Sequence, residues 1–189
     1  MRRINLDNQE IFNITCDILL QGGIIIYPTD TLYGLGGDAT NGDTVKKINK
    51  IKRRFSPLSV LAPDINTALS WMNLKKDGKR QVSKILGGKT TVIVPVFRDI
   101  VHSLVIGNNN TLGIRIPDHP FCQKISQKFG APIITTSVNR TGNLPMTEPQ
   151  KIHSEFINEV DLLIDGGNIF GKGSTIYIYN NSKLNVMRP

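Results

Sequence analysis

The spacing of apolar residues alternates along the chain between a helical repeat and short β-type runs, which predicts one α/β domain over residues 1–189. Residues Asp7–Gln21 set Ile11, Ile14 and Ile18 on one helical face, with Leu19 and Leu20 beside it, and Gly22-Gly23 ends the helix. Ile24–Tyr27 reads as a buried strand stopped by Pro28. Asp43 or Asn41 can cap a second helix that turns Val45, Ile48 and Ile51 inward and its lysines outward. Further strands are predicted at Pro57–Ala62, Thr90–Phe97, Thr111–Ile116, Pro132–Thr136, Val160–Ile164 and Ser174–Tyr179. Helical patterns lie between them at Asp64–Met72, Lys79–Leu86, His119–Phe129 and Pro149–Ile157, with Gly130 as the stop after Phe129. This alternation favours parallel pairing in part of the sheet, and the closer strands of the last third make it mixed.

Composition narrows the class and charge then changes the picture. A hydrophobic fraction of 39% with 17 glycines is ordinary for a globular chain and excludes disorder or a collagen-like repeat. No apolar run approaches the ~20 residues of a membrane span. The basic start Met1-Arg2-Arg3 leads into Asp7, Asn8 and Glu10 rather than a signal-peptide core. Cys16 and Cys122, far apart and outside any C-x-x-C, suggest neither a disulfide framework nor a zinc site. A reduced, cytoplasmic protein with no membrane contact is expected. Lys and Arg number 23 against 15 acids, a net charge of +8. Between Lys46 and Lys89 twelve basic residues stand against only Asp64 and Asp77, so this segment carries more than the whole excess. Such a patch can concentrate anions, either nucleotide phosphates or an RNA backbone, but on charge alone it reads first as a solvated lysine-rich face.

Four polar segments follow apolar strands. The first, Tyr27-Pro28-Thr29-Asp30-Thr31-Leu32-Tyr33-Gly34-Leu35-Gly36-Gly37, combines hydroxyls, a carboxylate and glycines, yet matches neither the P-loop nor the dinucleotide fingerprint, and taken alone it reads as a structural turn. In the second, Lys52 and Arg54 form a K-x-R at a helix end, where they could grip a triphosphate or merely complement the helix dipole. The third, Thr135-Thr136-Ser137-Val138-Asn139-Arg140-Thr141-Gly142, is dense in neutral donors suited to oxyanions and also to plain turns. The fourth joins Asp165-Gly166-Gly167 to Gly171-Lys172-Gly173-Ser174-Thr175-Ile176, ahead of a terminal Met187-Arg188-Pro189.

In order, PTDTLYGLG, KIKRR followed by PLSV, GIRIPDHP, TTSVNRTG, DGG with GKGSTI, and MRP resemble the YrdC-type threonylcarbamoyl-AMP synthase family from about Gly22 to Pro189. The resemblance implies an open, twisted mixed α/β sheet with flanking helices and a basic cavity, the YrdC/RibB-like arrangement. It implies an L-threonylcarbamoyladenylate synthase, a nucleotidyltransferase that makes threonylcarbamoyl-AMP and pyrophosphate from L-threonine, bicarbonate and ATP. A tRNA-modifying threonylcarbamoyl transferase would take the product onward. Carried over by position, Lys52 and Arg54 contact the ATP phosphates and are the catalytic pair. Ser56, Thr111, Asn139, Thr147 and Arg188 complete the ATP side. Thr31, Tyr33, Arg115, Ser137 and Ser174 form the threonine side, with Arg115 on the carboxylate. No protein metal site is implied; Mg2+ would ride on the phosphates.

The chain departs from the family at three places. Leu61 stands where many members have His, the Arg54–Pro57 loop is about two residues shorter, and Leu86-Gly87-Gly88-Lys89-Thr90 replaces P-G-P-x-T. Ending at Arg188-Pro189, the chain is expected to lack the extra C-terminal domain of longer members. Asp30 has no assigned role, and His102, His119 and His153 read as surface or core residues. Two other functions are compatible with parts of the pattern. One is an RNA-binding module using the 46–89 segment, with weak tRNA binding as its milder form; its base stacking would be poorly served by 6% aromatic residues. The other is a carbamoyl-transfer domain of the hydrogenase-maturation type, normally part of a much longer chain.

Overall fold

The computed structural model describes residues 1–54 and 57–189. Ten strands form one mixed sheet: β1 (Arg2–Asn5), β2 (Ile25–Tyr27), β3 (Gly34–Gly36), β4 (Ser59–Leu61), β5 (Thr90–Pro95), β6 (Thr111–Arg115), β7 (Ile133–Ser137), β8 (Leu162–Asp165), β9 (Thr175–Asn180) and β10 (Lys183–Arg188). Their spatial order is β1-β8-β2-β3-β7-β4-β6-β5-β9-β10. The helices are α1 (Ile11–Leu20), α2 (Gly42–Lys52), α3 (Ile65–Trp71), α4 (Lys76–Ser83), α5 (Pro120–Phe129) and α6 (Pro149–Phe156). Among the described residues no helix is long and apolar enough to cross a membrane. Both cysteines are free and buried.

Most elements fall where the periodicity predicts them, with instructive differences. In α1 the core face is Ile11, Thr15, Cys16 and Leu19, while Leu20 is 73% exposed. The α2 cap is Asn41, whose side chain accepts from the N–H groups of Asp43 and Thr44. Gly34-Leu35-Gly36, expected as a turn, is a strand between β2 and β7: its glycines leave room for the Tyr27 ring and the Ile134 carbonyl, both of which a Cβ would strike. The edge strands β1 and β10 carry mostly exposed side chains, so they gave no apolar alternation to detect.

The two faces of the sheet are unequal. On one, α2, α3, α4 and α6 cover a large core that includes Val60, Val92, Val94, Leu112, Ile114 and Ile134. On the other, α1 and α5 cover a smaller core drawn from β1, β8, β2, β7 and only Leu61 of β4. No residue of β6, β5 or β9 joins that second core. Among the described residues the half of this face running from β4 to β9 therefore lacks a helical cover, and its residue types suit that position. Pairing register arranges them in rows. One row runs Ile176–Thr91–Arg115–Leu61–Ile133, and the next runs Ile178–Ile93–Gly113–Ser59–Thr135. Arg188 extends the first row because a register shift between Val186 and Arg188 sets it opposite Ile176.

Candidate active site

The uncovered face is polar at both ends. At the Arg115 end, the guanidinium is 7% exposed, donates to Thr31 Oγ1 at 2.7 Å and forms an ion pair with the Asp30 carboxylate. Asp30 also accepts the Asp118 N–H at 3.0 Å, so both of its oxygens are committed. Thr29 folds the loop beneath them: its hydroxyl donates to the Leu32 carbonyl at 2.7 Å and accepts from the N–H groups of Thr31 and Leu32. Arg115 Nε is buried without a partner among the described residues. A buried guanidinium with donors to spare is suited to a carboxylate.

The 166–174 segment closes over the same end. Gly171 packs on the first loop so tightly that a Cβ there would sit 2.0 Å from the Thr31 carbonyl oxygen. Ser174 and Thr91 share a hydroxyl–hydroxyl bond at 2.8 Å, and Arg188 Nη2 donates to the Ser174 carbonyl at 2.8 Å. Tyr33 is fully buried, and its hydroxyl is spent on this segment, donating to Gly167 O at 2.7 Å and accepting from Gly166 N at 3.0 Å. Burial pushes that phenol up to about 12, so it stays protonated and acts through the loop it holds.

At the other end, the Lys52 side chain is turned inward, whereas Lys46, Lys47 and Lys50 of the same helix are exposed. It is 2% exposed, and Nζ donates to Ser137 O and to Asn139 Oδ1, each at 2.6 Å. Ser137 Oγ donates to the same Asn139 oxygen at 2.6 Å, and Asn139 Nδ2 holds the Asn143 carbonyl. The K-x-R and S-x-N segments, 85 residues apart, thus form one unit. Burial first, then the charges of Arg54 and Arg140, pull the Lys52 ammonium down to about 8. Arg53 ends α2 at φ +53°, a left-handed conformation unfavourable for a residue with a Cβ, and this turns Arg54 away from the helix axis.

Sheet register sets the ends apart. Ser137 stands one row beyond Thr135, at the end of the sheet where Thr111 begins β6, whereas Arg115 lies two rows back. Four residues of strand are about 13 Å. Thr111 thus begins β6 at the same end of the sheet as Ser137, with β4 between them, and its hydroxyl is bonded to Asn108 O at 2.9 Å. Ser137, implied for the threonine side, sits at the Lys52 end. Arg188, implied for the nucleotide side, shares the row of Arg115 across three strand spacings. Thr147 is half-buried, and its carbonyl accepts the Ile169 N–H at 3.0 Å, joining the chain after the third segment to the fourth. Ser56 lies outside the described residues. The lysines of the basic 46–89 segment fall mainly in or beside two helices, α2, which packs by Ser103–Val105, and α4, which packs by α3 and β10.

Of the floor residues, Ser59 and Gly113 lie within PLSV and GIRIPDHP but drew no role of their own, and Thr91 lies in no motif; their places beside Val60, Ile114 and Val92 were the available clue. Comparison with known proteins gives the family and the fold. The family model Sua5_yciO_yrdC, described as telomere recombination, matches residues 17–189. The chain belongs to this family. A protein of Methanocaldococcus jannaschii, provisionally named a threonylcarbamoyl-AMP synthase, is 35% identical over 90% of this chain and 81% of its own. The threonylcarbamoyl-AMP synthase of Coxiella burnetii is 29% identical over 85% of this chain and 87% of its own. Among solved structures, E. coli YciO superposes with a TM-score of 0.88 at 24% identity, covering 98% of this chain and 93% of that one. P. abyssi Sua5 complexed with L-threonine gives 0.87 at 23% identity, covering 99% of this chain. At those identities the likeness concerns the fold, and this chain spans only 56% of the Sua5 chain.

Proposed function

We propose that this Sua5/YciO/YrdC-family protein is an L-threonylcarbamoyl-AMP synthase that condenses L-threonine, bicarbonate and MgATP. The observation that carries this reading is the uncovered sheet face with a buried cation at each end, Lys52 beside Asn139 and Arg115 beside Thr31. L-threonine would seat its carboxylate on Arg115, with Thr31 and Ser174 near its polar groups. The triphosphate would lie at the Lys52 end, gripped by Lys52 and Arg54, with Asn139, Thr111 and Thr147 toward the nucleoside and Ser56 as a further contact. Ser137 supports Asn139, and Arg188 supplies positive charge from the far strand.

The chemistry needs no nucleophilic side chain. The threonine amine adds to CO2 derived from bicarbonate and loses a proton, giving an N-carboxylate. One of its oxygens attacks the ATP α-phosphorus, and the bond to the bridging oxygen breaks with pyrophosphate as leaving group. What the protein must supply is proximity and charge compensation. Two unit anions at 4 Å repel by about 4 kcal/mol at an effective dielectric of 20, and Lys52, Arg54, Arg115 and Arg188 offset that repulsion. Mg2+ enters with the nucleotide as part of the substrate, since among the described residues no cluster of acids or histidines could cage it.

Pyrophosphate release tests the reading. Purified protein with MgATP should release pyrophosphate only when L-threonine and bicarbonate are both present. Release independent of either one, or tight salt-sensitive tRNA binding with no release at all, would refute it.

A further inference from the structure

The carbonyls at the C-terminus of a helix need partners from elsewhere, and α2 finds all of its partners in a way that bears on Lys52. Asn49 O and Lys50 O accept from the N–H groups of Arg53 and Arg54 as the chain turns through Arg53. Lys52 O accepts the Thr141 N–H at 3.1 Å, and Ile51 O accepts Arg140 Nη1 at 2.8 Å. The last two bonds come from the segment that carries Ser137 and Asn139. Arg140 is itself clamped. It donates to both carboxylate oxygens of Glu159 and has Nε 3.5 Å from Glu155 Oε1. Its guanidinium lies 4.6 Å from the centre of the Phe156 ring. Three segments of the chain thus meet on one side chain that lies outside the substrate contacts proposed above.

We infer that Arg140 is a positioning residue: clamped by α6 and Glu159, it locks the Asn139 loop onto the end of α2 and so fixes the Lys52 ammonium where the triphosphate binds. This rests on the synthase reading for what Lys52 grips, but not for how Lys52 is held. Released from Arg140, the loop can swing off the helix end and take Asn139 with it. Lys52 then loses one partner, gains water and escapes a neighbouring positive charge. Arg115, anchored by Asp30 and Thr31 in another row, should be unaffected.

The test uses Arg140→Met, Arg140→Lys and Glu159→Gln in the full chain. Lys52 is read directly by the pH dependence of its labelling with an amine-acylating reagent, followed by mass spectrometry, with no turnover required. The midpoint is expected to move upward from about 8 in Arg140→Met, and less in Glu159→Gln. ATP affinity by calorimetry should weaken about tenfold in Arg140→Met while the threonine KM stays put. Arg140→Lys keeps the charge but not the fork, and should restore little. An unshifted labelling midpoint with unchanged ATP affinity would overturn the inference, as would full rescue by lysine or an equal loss for both substrates. Should Arg140→Met fail to fold, Glu159→Gln decides on the same readouts, and no shift there would overturn it too. If the wild-type protein released no pyrophosphate, the synthase reading would fall while the labelling shift still judged Arg140.

Discussion

Replacing Lys52 by methionine separates what the ammonium does for the fold from what it does for the substrate. The side chain is 2% exposed, and its ammonium is pulled from an ordinary 10.5 to about 8 by burial and by Arg54 and Arg140. That depression corresponds to about 3 kcal/mol against the charged form in the folded chain. Methionine fills a similar volume without the charge, and forfeits the bonds to Ser137 O and Asn139 Oδ1. Two such charge-assisted bonds contribute about 1.5 kcal/mol each at the low end of their range, so loss and relief nearly cancel. Lys52→Met should therefore melt within about 4 °C of the parent, a shift of roughly 1 kcal/mol in a chain of this length. For the nucleotide, by contrast, a charge-assisted contact worth about 1.5–3 kcal/mol disappears, and ATP affinity should fall roughly 10- to 150-fold. Calorimetric unfolding and ATP titration of the same preparation measure both. A variant that melts far lower yet binds ATP normally would show the ammonium to be a structural clamp, contradicting its place at the triphosphate.

Three further outcomes follow from the same geometry. Because Lys52 titrates near 8, ATP affinity should be nearly constant below that pH and weaken by about tenfold per unit above it, with proton uptake on binding near pH 8–9. The fold should respond oppositely: the unfolded chain holds the extra proton between about 8 and 10.5, so this residue's contribution to stability rises with pH across that window. A flat ATP profile through pH 9 would count against Lys52 as the phosphate cation. Arg115→Ala should raise the threonine KM far more than the ATP KM. Since Asp30 would be left buried without its cation, it should also lose about 3–5 kcal/mol of stability, much of it recovered by adding Asp30→Asn. Equal effects on the two substrates would refute the division between the ends. Gly113→Ala places a Cβ 2.3 Å from Ser59 Oγ and should cost about 1–3 kcal/mol. Adding Ser59→Ala removes that oxygen and should restore most of the loss, whereas no restoration would mean that the floor packs differently.

Much of this was legible in the residues themselves. The apolar run Val92-Ile93-Val94 marks β5 as a strand, and the run Val45, Ile48, Ile51 encodes the inner face of α2. The motif segments supply residues at both ends of the proposed site. What local pattern does not carry is the joining of distant segments. Lys52 looks like one more solvent-facing lysine of a basic helix until β7 arrives beside the helix end to offer Ser137 O and Asn139 Oδ1. Asp30 gains its role only because Arg115, 85 residues later, is carried to it by β6. The division of the 46–89 lysines between α2 and α4 is likewise a property of topology, invisible to a count of charge. Arg140 drew no attention for the same reason, since its worth depends on Glu159, Phe156 and the end of α2 converging on it.

Crystals grown with L-threonine, bicarbonate and a non-hydrolysable ATP analogue would probe the two-ended face most directly. The threonine carboxylate is expected on Arg115 and the triphosphate on Lys52 and Arg54, with the amino group or its carboxylated form about 3–3.5 Å from the α-phosphorus. Ligands held on separate faces, or a triphosphate bound away from Lys52, would contradict the account.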